Sequence, residues 1–177
     1  PDKEGLWYRR AITIASDEGE EGDGDNGESD EEHMNKIIDH LLAYKYNVVD
    51  KIYEAIGGTA QNITNSLNQG RGLIHYVGHA TFEKWTTTGF SKSHIYGLSN
   101  FKKWPFIYSV SCQSGSFHLG ESFAEAWLRA SFNDEPTGAI VIVASTVDQL
   151  WAPPMAAQDE FTKLLVENGS DKFRRSF

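Results

Sequence analysis

The sequence predicts one α/β domain, with a mostly parallel sheet and helices on both faces. Strand-like apolar runs alternate with helix-like segments along the chain, which is the pattern of a parallel sheet built from strand–helix–strand units. The 177 residues suffice for one domain with a substantial core, and 40% hydrophobic residues is typical of an ordinary folded protein. We therefore treat 1–177 as a single domain.

Five segments are predicted as strands because they are apolar, rich in β-branched and aromatic residues, and bounded by turn residues. They are RRAITIAS (9–16), NVVDKIY (47–53), RGLIHYVGH (71–79), FIYSVSC (106–112) and GAIVIVAST (138–146). The last of these is the most continuously apolar, so it is predicted to be buried.

The intervening segments are predicted as helices from their spacing and end signals. They are EEHMNKIIDHLLAYK (31–45), GGTAQNITNSLNQG (57–70), a short helix around HIYGLSN (94–100), ESFAEAWLRA (121–130) and PPMAAQDEFTKLLVEN (153–168). In the first helix Met34, Ile37, Ile38, Leu41 and Leu42 share one face. Ser29 followed by Glu32 forms a capping box at its start.

Two predicted strands end in chemically reactive side chains. His79 closes LIHYVGH, and Cys112, the only cysteine, closes FIYSVSC. In an open α/β sheet the active site forms beyond the carboxyl ends of the strands, so these two side chains are expected to meet there. A cysteine nucleophile reacts as a thiolate, and a nearby histidine stabilises that thiolate by lowering the pKa of the thiol. The same histidine later protonates the leaving group. The pair favours a thiol hydrolase over two unrelated structural residues.

A third catalytic residue is expected to orient the imidazole, as the carboxylate does in a triad. Glu18 follows the first predicted strand and is the first choice, with Asp17 as the alternative. The small polar residues after Cys112 leave main-chain amides accessible for an oxyanion hole.

The net charge of −9 is concentrated in one loop. Residues 17–32 hold ten Asp and Glu and no Lys or Arg, and the remaining acidic residues roughly balance the 16 basic ones. No basic patch is available to neutralise phosphates, so nucleic acid is excluded as a partner. The loop favours a cation, either a metal ion or a Lys or Arg side chain of a substrate, unless it is simply a solvated acidic loop.

Metal sites are only weakly indicated. The stretch DGDNGE (23–28) resembles part of a calcium loop, but Gly27 stands where an EF-hand needs its third ligand, so structural calcium is an open alternative. No histidine pair has zinc-type spacing and there is no second cysteine, so a structural zinc site is not predicted. His33 and His40 are expected at the surface, and His75 in the interior.

No apolar run approaches the roughly 18 residues of a membrane span. A single cysteine excludes an internal disulfide framework. The chain begins PDKEG, which we interpret as the start of a piece of a longer precursor.

Ordered blocks of the sequence resemble one peptidase family. They are IASDEG, GDNGESD, YVGHA, SVSCQSGSF, SFAEAWLRA, PTGAIVIVAST and VDQLWAPPMAAQDEF. Together they are similar to the gingipain family of cysteine endopeptidases, which has a caspase-like three-layer sandwich fold. The resemblance implies that His79 and Cys112 are the catalytic dyad, that Glu18 contacts the imidazole, and that the amides of Cys112 and Ala80 form the oxyanion hole.

The same resemblance implies cleavage after Arg or Lys in protein or peptide substrates. Asp30 would then be the carboxylate of the primary specificity (S1) pocket, Trp151 and Met155 would cover the basic side chain, and Gln149 would contact it. This agrees with the charge argument, since a guanidinium pairs with a carboxylate and stacks on an indole. Otherwise Asp30 would be an N-terminal helix charge, and Trp151 and Met155, four residues apart, would simply pack together.

Family members usually carry Gly after the catalytic histidine, where this chain has Ala80, and a smaller residue where it has Ser111. The chain matches only the second of two caspase-like subdomains, which implies a preceding subdomain or propeptide as partner. The resemblance implies a secreted or cell-surface location. It also implies that the chemistry needs no cofactor, with structural calcium left as an open alternative.

Two alternatives to a cysteine endopeptidase remain. One is a gingipain-like processing peptidase or transpeptidase of a protein-secretion apparatus. The other is a non-catalytic caspase-like binding module.

Overall fold

A five-stranded parallel sheet organises the molecule, whose computed structural model describes residues 5–18 and 24–166. Its strands are β1 (Arg10–Ala15), β2 (Val48–Lys51), β3 (Leu73–Val77), β4 (Phe106–Val110) and β7 (Val141–Val143), in the order β2-β1-β3-β4-β7. A separate two-stranded hairpin pairs β5 (Ser131–Phe132) with β6 (Glu135–Pro136). The parallel sheet with intervening helices confirms the predicted α/β class.

Helices lie on both faces of the sheet. They are α1 (Asp30–Tyr44), α2 (Ala60–Gln69), α3 (Lys92–Tyr96), α4 (Phe123–Arg129) and α5 (Ala152–Val166). Apolar side chains of α1 and α5 pack on one face of the sheet, and those of α2, α3 and α4 pack on the other. The result is the predicted three-layer sandwich.

The core therefore has two parts, one on each side of the sheet. The α2–α4 side is aromatic: the Trp85 ring stacks on Tyr76 with centroids 4.6 Å apart, and the Trp127 ring stacks on Phe90 at 5.4 Å. The α1–α5 side is mainly aliphatic, with Met34 and Met155 among its buried residues. The central strands β1 and β3 are buried along almost their whole length, which explains their near-continuous apolar runs.

Helix α1 begins where its sequence signals place it. The Ser29 hydroxyl accepts from the Glu32 amide at 3.3 Å, and the Glu32 carboxylate accepts from the Ser29 amide at 2.9 Å. This capping box satisfies two amides of the first turn. It also places Asp30 at the first helical residue, directed into the protein rather than into solvent.

Three sequence predictions about burial were wrong. Strand β7 forms the edge of the sheet, so Val141 and Val143 are each 40% exposed instead of buried. Leu42 lies on the outer side of α1 and is exposed. His33, expected at the surface, is fully buried because it faces α5, which the pattern of α1 alone does not reveal.

In the described part of the chain, every helix is too short or too polar to cross a bilayer.

We predict that Ile74→Ala, in the middle of the sheet, lowers the free energy of unfolding by about 2–5 kcal/mol, since Ile74 is fully buried and the vacated space cannot collapse. Urea denaturation followed by circular dichroism measures the change. The matched control is Ile56→Ala, whose side chain is 67% exposed and should shift stability by no more than about 0.5 kcal/mol. Equal effects of the two substitutions would contradict this description of the core.

Candidate active site

Strand register brings His79 and Cys112 to the same edge of the sheet. Strands β3 and β4 pair in parallel up to Val77 opposite Val110, and the Gly78 amide still donates to the Val110 carbonyl at 3.2 Å. His79 lies two residues after Val77, and Cys112 lies two residues after Val110. The sequence prediction that both lie at the carboxyl edge is confirmed by this register.

The main chain at His79 is tightly held. Gly78 has φ +149°, and a Cβ there would lie 2.6 Å from the Thr87 hydroxyl, so the position requires glycine. The His79 carbonyl accepts from the Tyr76 hydroxyl at 2.5 Å and from the Thr86 amide at 2.9 Å. These contacts fix the direction in which the imidazole leaves the sheet.

The imidazole of His79 pairs with the first-choice carboxylate. Its Nε2 lies 2.8 Å from Glu18 Oε2, and both side chains are about half exposed. Because Nε2 donates to Glu18, Nδ1 is the nitrogen left for a thiol or a leaving group. Among the described residues, the Asp17 carboxylate makes no hydrogen bond or ion pair with His79, and the Asp17 main-chain amide donates to the Glu54 carboxylate at 3.4 Å. The geometry therefore supports Glu18 over Asp17 as the orienting residue.

Cys112 is enclosed by the segment that leads into α5. The Gln149 amide donates to Cys112 Sγ at 3.5 Å, and the Gln149 carbonyl lies 3.8 Å from the same sulfur. The side-chain amide of Gln149 donates to the Ser111 carbonyl at 3.0 Å, so its described contacts are with the nucleophile loop. Its expected contact with a substrate side chain stays a prediction.

The turn after Cys112 is strained. Gln113 has φ +52°, an uncommon conformation for a residue with a side chain, and it is anchored by its amide to the Val147 carbonyl and by its side chain to Asp148. Below the turn, the Ser111 hydroxyl forms hydrogen bonds with the hydroxyl groups of Ser109 and Ser114, at 2.8 and 3.1 Å. Sequence reasoning missed this support, because polar residues after a strand give no sign of which ones turn inward.

Two amides at this edge are candidates for an oxyanion hole. Ala80 lies opposite Trp85 in a short antiparallel β-bridge. The hydrogen bonds of this bridge are made by the neighbouring residues, from the Thr81 amide to the Lys84 carbonyl and from the Thr86 amide to the His79 carbonyl. The N–H of Ala80 therefore points away from the bridge. Among the described residues, neither this amide nor that of Cys112 has an acceptor. Their roles stay predictions, and the geometry leaves both donors available.

A buried carboxylate lies beside the dyad. Asp30 has no exposed surface; the Ser16 hydroxyl donates to its Oδ2, and the Trp151 indole N–H donates to its Oδ1 at 2.5 Å. Burial raises the pKa of Asp30, an effect that the two hydrogen bonds and the nearby charge of His33 oppose. Ser16 was not singled out from the sequence, since a serine after a strand has no distinguishing pattern.

Trp151 joins this carboxylate to the dyad. Its ring meets the His79 ring edge-on, with centroids 5.1 Å apart, while its N–H reaches Asp30. Met155, one turn later in α5, is fully buried against Gly24, where a Cβ would lie 3.0 Å from the methionine methyl group. The structure thus places Asp30 and Trp151 together next to His79, with Met155 one helical turn beyond Trp151.

The arrangement has the features of a cysteine-hydrolase site: a thiol and an imidazole at adjacent strand ends, an orienting carboxylate, and two free amides. The buried carboxylate of Asp30 lies beside this arrangement.

Comparison with known proteins agrees with this class. The sequence profile of peptidase family C25 matches residues 1–175, and the chain belongs to this family. It is 40% identical over 175 residues to gingipain R2 and to gingipain R1 of Porphyromonas gingivalis, which covers 98% of this chain but 24% and 18% of those proteins. The chain thus spans about a quarter or less of the length of these relatives.

Solved structures give the same result. The crystal structure of the Arg-specific cysteine proteinase gingipain R superposes with a TM-score of 0.89 at 41% identity, covering 94% of this chain and 38% of that one. The complex of the RgpB pro- and mature domains superposes with a TM-score of 0.88 at 40% identity, covering 93% and 38%.

Asp30→Asn should make stability less dependent on pH. The raised pKa means that the folded state binds a proton at Asp30 more tightly than the unfolded state, so wild-type stability falls as pH rises from the unfolded pKa, about 3.9, through the raised value. An amide keeps an acceptor for Trp151 and a donor for Ser16, but carries no buried charge.

Urea denaturation over a pH series tests this effect. We expect the difference in unfolding free energy, variant minus wild type, to increase with pH across that window. The control Asp39→Asn changes an exposed carboxylate of the same helix and should show no such trend. A difference that is flat or decreasing with pH would contradict the assignment.

Proposed function

We propose that this chain is the catalytic subdomain of a cysteine endopeptidase that cleaves after Arg, with Lys as the second choice. The observation that carries the proposal is the position of Trp151, which contacts the His79 ring and the Asp30 carboxylate at once. A cation-recognising pocket and a thiol–imidazole pair therefore belong to one site.

Catalysis begins with transfer of the Cys112 proton to His79. The thiolate attacks the carbonyl carbon of the scissile bond, and the oxyanion accepts hydrogen bonds from the Cys112 and Ala80 amides. The carbon–nitrogen bond breaks as His79 returns the proton to the leaving amine. Water, deprotonated by His79, then hydrolyses the acyl-enzyme, and Glu18 keeps the imidazole oriented throughout.

Arginine fits the pocket for an electrostatic reason. Burial disfavours the ionised form of Asp30, so an arriving cation supplies the charge compensation that solvent does not. When the Trp151 indole moves away from Oδ1, a guanidinium can pair with the Asp30 carboxylate and lie against the indole face, whereas an ammonium offers only a point charge. This favours Arg over Lys, and Met155 is proposed to cover the basic side chain together with Trp151.

The relatives support the proposal. One matched structure is described as that of an Arg-specific cysteine proteinase, and another as a complex of pro- and mature domains. Because those proteins are much longer, we propose that a preceding subdomain or a propeptide is a partner of this chain. A secreted or cell-surface location is proposed on the same resemblance.

Cys112→Ala should abolish cleavage of Arg-containing peptides while leaving the fold intact, because the only hydrogen bonds of the thiol in the described structure are two long ones to the Gln149 main chain. Peptide cleavage followed by mass spectrometry measures activity, and circular dichroism checks the fold. A thiol-directed reagent carrying an Arg side chain should label only Cys112, much faster than a free peptide thiol. Wild-type cleavage by the variant would disprove the mechanism, and slow labelling would favour a binding module.

Adding an amine nucleophile to the cleavage assay separates hydrolysis from transfer. A peptidase should yield mainly the free acid, whereas a transpeptidase would yield the amide.

Asp30→Asn should lower kcat/KM for Arg substrates by about 10²–10³-fold, since the guanidinium would be desolvated without its counter-charge. Steady-state kinetics on matched peptides with Arg or Gln at the cleavage position measures this. The ratio of the two rates is the decisive quantity, because a general loss of folding lowers both rates equally. Equal losses for Arg and Gln would therefore exclude Asp30 as the specificity residue.

A further inference from the structure

Two fully buried aromatic rings lie on the α2–α4 side of the sheet, close to the ends of β3 and β4. The Tyr76 and Trp85 rings stack with centroids 4.6 Å apart and planes 8° from parallel. Each ring carries one polar group, and a buried polar group of this kind needs a hydrogen-bond partner. The partners lie in the two segments that carry His79 and Cys112, although the proposed catalytic steps use neither ring.

The Tyr76 hydroxyl holds the main chain at His79. It lies 2.5 Å from the His79 carbonyl oxygen and 2.9 Å from the Thr87 hydroxyl. A carbonyl oxygen only accepts, so the Tyr76 proton goes to His79, and the Thr87 hydroxyl donates to Tyr76. Burial raises the pKa of Tyr76 well above its ordinary value, so this donor keeps its proton at neutral and mildly alkaline pH.

The Trp85 indole begins a chain of hydroxyls that leads to the nucleophile. Its N–H donates to Ser109 Oγ at 3.0 Å, Ser109 Oγ lies 2.8 Å from Ser111 Oγ, and Ser111 Oγ lies 3.1 Å from Ser114 Oγ. Because an indole N–H can only donate, Ser109 accepts from it and has its own proton free for Ser111. All three serines are buried, and the last two stand on either side of Cys112 in the chain.

Strand geometry explains why these groups meet. Tyr76 and Ser109 are direct partners in the parallel register of β3 and β4, so their side chains share one face of the sheet. Ser111 is two residues after Ser109, and the alternation of an extended chain returns its side chain to that face. The indole N–H is satisfied by Ser109 alone. The extension to Ser111 and Ser114, which buries two more hydroxyls at a cost, therefore concerns the turn that carries the thiol.

That turn needs support from the core. Gln113 has φ +52°, a strained conformation that persists only where the surroundings hold it. The amides of Gln113 and Gly115 donate to the Val147 and Ser145 carbonyls at 3.1 and 2.8 Å, but residues 146–148 are themselves exposed. The serine hydroxyls instead join the turn to the central sheet.

The residues of this network are all buried, and each contacts the next: Tyr76, Trp85, Ser109, Ser111 and Ser114. We call them the buried support. We propose that the buried support is a positioning device for the proposed peptidase reaction, which sets the Cys112 thiol against the His79 imidazole. One arm ends at the His79 main chain and the other at the residue before Cys112, and the stacked rings join the two arms. The inference rests on the proposed peptidase function.

Loss of the buried support should slow the chemical step and leave substrate binding nearly unchanged. A displacement of about 1 Å between reacting groups can cost about 100-fold in rate. The Asp30 carboxylate, which is proposed to bind the substrate cation, is held by other residues, Ser16 and Trp151. A change in the support should therefore affect kcat rather than KM.

Tyr76→Phe and Ser111→Ala test the two arms, because each removes one hydroxyl and keeps the rest of the side chain. In steady-state kinetics on an Arg peptide, each should lower kcat about 10–100-fold and leave KM within about twofold of wild type. The double variant should lose less than the product of the two single losses, since both act on the same distance. Circular dichroism and urea denaturation check that the variants are folded.

Two matched controls remove hydroxyls elsewhere. Tyr108→Phe changes a tyrosine that packs against Phe161 on the other face of the sheet, and Thr137→Val changes a buried hydroxyl between β6 and β7. Both should keep kcat within about twofold of wild type. Hydrogen exchange in the peptide spanning 111–117 should become faster in Ser111→Ala and stay unchanged in both controls.

Unchanged kcat or unchanged exchange in Ser111→Ala, in a chain that is active as wild type, overturns the inference and leaves the proposed function standing. A loss that comes from a raised KM also overturns it, because the support would then shape the pocket and not the dyad. Fully multiplicative losses in the double variant would show two separate local contacts and no common support. If the wild-type chain cleaves no Arg peptide, the proposed function fails and the inference fails with it. Ser114→Ala replaces either variant if it does not fold, with the same outcomes.

Discussion

The parallel pairing of β3 with β4 is the interaction on which the rest of the site depends. It continues unbroken to Val77 and Val110, and the next main-chain bond, from Gly78, keeps the two chains level as they leave the sheet. His79 and Cys112 therefore emerge side by side. A one-residue slip would direct one of the two side chains to the opposite face of the sheet. Both strands are covered by helices on each side, so the register is held by the whole core.

Around that edge, the segment between β7 and α5 links nucleophile and pocket. Gln149 binds the thiol and the Ser111 carbonyl, and Trp151 reaches both His79 and Asp30. In the proposed function, stability and activity oppose each other at Asp30, because its buried charge lacks a full counter-charge until a cation arrives. The proposed pocket would discriminate against a neutral side chain, which leaves that cost in place.

Much of the fold could be predicted because local signals and tertiary packing agree. The Ser29–Glu32 capping box marked the start of α1, and the apolar runs of β1, β3 and β4 marked the centre of the sheet. Strand β7 was misjudged because an apolar run does not reveal whether it will lie at an edge. His33 was misjudged because helix periodicity describes one element, whereas its burial comes from α5. Residues 19–23 lie outside the described structure, and they include part of the predicted acidic loop (17–32) and the first Asp of DGDNGE.

By itself, the sequence determined the α/β class, the strand-end positions of His79 and Cys112, and an acidic region suited to a cation. These follow from periodicity, composition and order along the chain, which are local properties. Only the tertiary structure brought the Glu18 carboxylate to the His79 imidazole, turned Asp30 inward to Ser16 and Trp151, and brought Asp159 to Glu28 and His33. Those contacts join residues far apart in the chain, and their partners are set by how the helices pack on the sheet.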